Sequence, residues 1–151
     1  MGLDMYLRGD KFYVQDFDAR PLAEDKGKPL DADGDRIENS IHDLGYWRKF
    51  APLHTYIVTE YAEGIDECQQ IRLEAKDLEN IADTLRGNSL PDNEECNGFF
   101  FGAAEHWDED RAEAENHAKM FDDAVKWLDA APKYDSGNLK QWRSVHYQAS
   151  W

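Results

Sequence analysis

Cysteine is scarce in this chain: Cys68 and Cys96 are the only two among 151 residues, and they lack CxxC spacing. That argues against a disulfide framework or a cysteine zinc site and predicts two reduced thiols. Long apolar runs are also missing, with none approaching the ~18 residues of a membrane span. The N-terminus lacks the charged-then-apolar pattern of a secretory leader, so the expected location is the cytoplasm. Basic residues are few, 17 Lys and Arg against 32 Asp and Glu, for a net charge of −15. Such a surface repels phosphate backbones and anionic headgroups. Direct binding to nucleic acid or a membrane is therefore not expected, and any charged partner should be basic. A salt-adapted or merely very soluble surface is the plainer reading of the same composition.

Catalytic signatures are wanting as well. No HExxH, GxSxG or GxGxxG stands in the chain, and no Cys-His arrangement has a recognisable context. No metal site and no cofactor are expected. Asp31, Asp33 and Asp35 sit on a tight turn, but with Asp31 as the first position the glycine of an EF-hand loop is replaced by Arg36 and its closing glutamate by His42. A solvated acidic turn is the reading adopted.

What the chain does contain is a pattern of short elements around one apolar-rich stretch. From Leu44 to Tyr61 the residues Leu44, Trp47, Phe50, Leu53 or His54, Ile57 and Tyr61 recur at three- and four-residue steps, the spacing of one helical face. Pro52 either kinks that helix or begins it afresh, and Ile37 to Asp43 reads as a helical turn leading in. Gly2 to Arg8 alternates with period two, and Lys11 to Phe17 repeats the alternation more weakly, so Gly9-Asp10 reads as a hairpin turn between two strands. Residues 19–36, with Pro21, Gly27, Pro29 and Gly34, form an exposed loop. Gln69 to Leu73 suits a short strand. An amphipathic helix follows Glu74, with Leu78, Ile81, Ala82 and Leu85 as its stripe and Gly87 as its stop. Gly98 to Gly102 brackets three phenylalanines and reads as a buried strand. Asp108 to Ala131 is expected to be one long helix, and Leu139 to Trp151 a returning strand. Strands near both ends with helices between them predict one α+β domain over residues 1–151, a small, mostly antiparallel sheet packed with two to four helices.

Four segments together carry a resemblance. GLDMYL at Gly2 to Leu7, YWRK at Tyr46 to Lys49 followed by His54, GFFFG at Gly98 to Gly102 and YQxSW at Tyr147 to Trp151 resemble a family of small, uncharacterised bacteriophage and prophage proteins. The resemblance implies a phage protein acting in the host cytoplasm. It implies no particular activity.

Two functional readings result. In the first, the protein is an acidic binding protein, a nucleic-acid mimic that inhibits a basic host protein of defence or nucleic-acid metabolism. Asp108, Glu109, Asp110, Glu113, Glu115, Asp122 and Asp123 would be its binding face, because a helix rises ~1.5 Å per residue and DNA carries one charge per ~1.7 Å of axis. In the second, it is a small enzyme or ligand-binding module. Its pocket would gather Tyr46, Trp47, His54, Phe99, Phe100, Phe101, Glu105, His106 and His146. His54 alone reads first as a packed core residue. The oligomeric state is left open. If the cysteine reading holds, thiol titration of the unfolded, unreduced protein should find both thiols; finding neither, with a mass two hydrogens lighter, would overturn it.

Overall fold

The computed structural model describes residues 2–15, 39–91, 105–131 and 139–151. Within these residues four strands and four helices follow one another in the order β1 (Asp4–Gln15), β2 (Ser40–Arg48), α1 (Ala51–Tyr61), β3 (Ile71–Leu73), α2 (Ala75–Arg86), α3 (Glu105–Ala112), α4 (Ala114–Asp129) and β4 (Leu139–Ser150). The strands form one sheet in the order β2-β1-β4-β3, antiparallel at every pairing. The protein is therefore α+β, with its central pair built from the first and last strands. Residues 19–36, Asp31, Asp33 and Asp35 among them, the Gly98 to Gly102 segment and Cys96 lie outside the described residues; Cys68 carries a free thiol.

The expected hairpin at Gly9-Asp10 is not there. β1 runs straight through it, because β4 pairs with all twelve of its residues, from Asp4↔Ser150 to Gln15↔Leu139. Leu3, Met5, Leu7, Gly9 and Lys11 keep one parity throughout and all are buried. Gly9 serves close approach rather than a turn: the indole of Trp127 lies against it, and a Cβ there would fall 2.6 Å from the ring.

The apolar-rich stretch from Leu44 to Tyr61 is likewise two elements, not one helix. Its first part, with the expected turn at Ile37 to Asp43 from Ser40 onward, is strand β2. The helical look of the Leu44 to Trp47 step comes from a bulge: Leu7 pairs with Gly45 but Arg8 pairs with Asp43, so Leu44 is an extra residue in the ladder. The extra residue shifts the phase. Trp47 and Gly45 face the helices, and so does His42, whose ring lies 5.6 Å from that of Trp127; Ile41, Asp43 and Tyr46 face away. The chain turns at Lys49, whose φ is +56° and whose N–H donates to Leu3 at 2.7 Å. α1 then starts afresh with Pro52 in its first turn, where a missing N–H costs nothing.

α2 follows the expected pattern closely. Leu78, Ile81, Ala82 and Leu85 are its buried stripe, and a capping box joins Glu74 and Asp77 at its start. The long helix expected from Asp108 to Ala131 is broken. α3 ends at Ala112, Glu113 leaves helical geometry at φ −94° and ψ 22°, and α4 begins at Ala114. All the described helices that reach the core do so on one sheet face, where Leu3, Met5, Leu7, Val145 and Tyr147 meet Leu53, Ile57, Ile81 and Phe121. Trp47 stacks on Phe121 with ring centroids 5.3 Å apart.

Gly9→Ala should lower stability by about 1–3 kcal/mol, because the added methyl drives Trp127 out of place. A glycine-to-alanine change in an open strand would act in the opposite direction, so a urea midpoint that rises or stays put would exclude this packing.

Candidate functional site

Of the residues assigned to a pocket, the four whose side chains are described divide between the two sheet faces. Neighbours along a strand point to opposite sheet faces, and that rule separates them. Tyr46 and His146 stand on the face away from the helices, while Trp47 faces them. His54, in α1, is buried on the helical side. Glu105 and His106 open α3; Phe99, Phe100 and Phe101 lie outside the described residues. Among the described residues no group of three His, Cys, Asp or Glu side chains could hold a metal ion.

His54 is instead the centre of a buried relay. Its Nε2 lies 2.8 Å from Asp66 Oδ2 and its Nδ1 2.7 Å from the Tyr147 hydroxyl. A carboxylate can only accept, which places the ring hydrogen on Nε2 and leaves Nδ1 to accept from Tyr147. Burial, with Asp66 nearby, holds the Tyr147 hydroxyl well above its ordinary pKa, so it keeps the proton that it donates. Trp151 Nε1 donates to the other Asp66 oxygen at 3.3 Å. Triad-like in sequence of groups, the relay has no substrate access, since Tyr147 is fully buried and His54 is 2% exposed. Its work is to join α1, the segment after it and the end of β4.

A second histidine pair lies on the opposite face. His146 Nδ1 is 2.9 Å from Asp10 Oδ2, and in the ladder His146 sits between Arg8 on β1 and Arg72 on β3. The ring of His146 is itself largely buried. The third, His117, accepts from Trp47 Nε1 at 2.9 Å; its buried Nε2 has no hydrogen-bond partner among the described residues.

The acidic residues of the other reading are placed unevenly. Glu109 and Asp110, on α3, border a concavity shared with Arg48 and Lys49. Asp108 also lies on α3, and Glu113 is exposed at the break. Glu115 and Asp122, two turns apart on α4, together grip Arg86 of α2, with Glu115 accepting twice at 3.0 Å and Asp122 once at 2.6 Å. That arginine holds the Glu115 carboxyl below its usual range. Asp123 is 3.9 Å from Lys126. The carboxylates are thus divided between α3 and α4 at Glu113, and two of them bind α2 to α4. Sequence spacing showed neither the break nor the clamp, and the clamp could not be read locally because it depends on Arg86, distant in the chain.

No protein-family model, no curated protein and no solved structure matches the chain. Among the described residues no helix is long and apolar enough to cross a membrane.

Tyr147→Phe should cost about 1–3 kcal/mol, since it removes the donor to a buried ring nitrogen. Tyr46→Phe, which breaks only an exposed bond to Asp4, should leave the melting temperature nearly unchanged. The unfolded chain releases the Tyr147 proton near its ordinary pKa and the folded chain retains it. Wild-type stability should thus fall as pH rises above about 10, and Tyr147→Phe should fall less steeply. Equal slopes for the two proteins would exclude the relay.

Proposed function

We propose that this is a phage-encoded binding protein that works in the host cytoplasm by presenting carboxylates to a basic surface of a host protein, in the manner of a nucleic-acid mimic. The observation that carries this reading is the segregation of charge by element. The four strands contain six basic residues against three acidic ones, whereas the four helices contain twelve acidic against five basic. An evenly solubilising surface would spread its carboxylates over both layers; here the acidity belongs to the helices and connecting segments.

Exposed carboxylates on the helices have the freedom to meet Lys and Arg side chains on a partner. Asp83, Glu109, Glu113 and Asp129 are exposed and form no ion pair among the described residues. Glu115 and Asp122 play a different part, because they tie α2 to α4 through Arg86. The interruption at Glu113 divides these acidic residues between α3 and α4.

Capture from host lysate, followed by titration of the captured partner, tests the reading. Replacing Asp108, Glu109, Glu113 and Asp123 with their amides should weaken binding at least tenfold and leave the circular dichroism spectrum unchanged, since exposed charges contribute little to stability. Wild-type binding should also weaken steeply between 0.05 and 0.5 M salt, because the attraction is screened over ~10 Å at 0.1 M. Binding indifferent to both salt and the amide changes would end the proposal.

A further inference from the structure

One face of the sheet is left without a layer of described helices. Strand parity assigns its members row by row across the ladder: Phe12 beside Trp142; Ile41, Asp10 and Ser144; Asp43, Arg8, His146 and Arg72; Tyr46, Tyr6 and Gln148; Arg48, Asp4 and Ser150. Ile41 is 67% exposed, Tyr46 52% and Trp142 51%, so three of the five most exposed large apolar residues among those described share this face. Scattered apolar exposure is ordinary on a protein surface, but a grouping on one flat face marks an interaction site.

The charges of the face cancel in place. Arg8 lies 3.4 Å from Asp43 and stacks 4.4 Å over the ring of Tyr6, Arg48 lies 3.8 Å from Asp4, and His146 binds Asp10. Arg72 reaches Glu74 at 3.1 Å. A strongly charged partner therefore gains nothing here over any other part of the molecule. A surface of the same kind meets it without net repulsion, and the guanidinium groups retain donors to share across the contact.

We propose that this face is the interface of a homodimer, with a second copy of the chain stacked on it about a two-fold axis. The area suffices. Strands about 4.8 Å apart, with β1 and β4 each about 40 Å long, present roughly 600 Å² in projection, and side-chain relief brings this near the ~800 Å² that each partner gives to a standard interface. Electrostatics favour this face over the others in a chain of net charge −15. Stacking sheet on sheet places the two helical layers about 30 Å apart, at about 10 Å per packed layer. Their mutual repulsion is then screened at 0.1 M salt, where the Debye length is ~10 Å, and felt at 0.01 M, where it is ~30 Å.

Sedimentation of the full chain tests this. A dimer should form at micromolar concentrations in 0.3 M salt and weaken at least tenfold in 0.01 M salt. That dependence is opposite in sign to the one expected for a basic partner on the helical face, so either proposal can fail without the other. In a two-fold interface each substitution acts twice. Ile41→Asp and Trp142→Asp, at exposed positions that leave the core untouched, should each weaken the dimer at least tenfold and preserve the melting temperature of the monomer. A chain that stays monomeric at 100 µM in 0.3 M salt, or a dimer that both substitutions leave intact, overturns the proposal; the first result would leave the face to a different protein partner.

Discussion

The pairing of β1 with β4 is the constraint on which the other elements depend. Twelve consecutive residues of the first strand bond to twelve of the last, so every other element hangs from a ladder whose two sides are nearly a chain length apart. Closing so long a loop costs only logarithmically more than closing a short one, but nothing is gained until it is closed. β2 then adds to the free side of β1 and the three-residue β3 to β4. The helices fill the face that this frame offers. The relay from Tyr147 through His54 to Asp66 fixes the end of β4 to α1 and the segment behind it, and Arg86 fixes α2 to α4.

That frame gives the protein two unlike sides. One sheet face is roofed by helices whose outer surfaces are acidic. The other carries paired charges and exposed aromatic rings. Period-two geometry is the cause: each strand supplies alternate residues to each side, and the single bulge at Leu44 keeps β2 in step with β1. Were Leu44 paired with Arg8 as an ordinary rung of the ladder, Ile41 would turn inward and His42 outward, and the open face would lose its most exposed apolar side chain.

Much of the architecture was legible in local pattern. α2 announces itself through its capping residues, its four-residue apolar stripe and its terminal glycine, all within a dozen positions, and β4 through its alternation. The errors share one physical origin. Gly9-Asp10 has the composition of a turn, but its conformation is decided by β4 and Trp127. Leu44 and Trp47 have helical spacing, but a bulge in a strand produces the same three-residue step. The acidic helix looked continuous because the residue that interrupts it, Glu113, is a good helix former by propensity.

By itself the sequence determined the class of the protein, its acidity, its lack of recognisable catalytic motifs and the stripes that form its core, because these follow from composition and from contacts only a few residues long. Only the tertiary structure decided which strand lies beside which, that His54 and His146 occupy opposite sides of the sheet, and that Glu115 and Asp122 close on Arg86. Those outcomes depend on contacts between residues far apart in the chain, and a period along one strand or helix carries no information about the partner that will meet it.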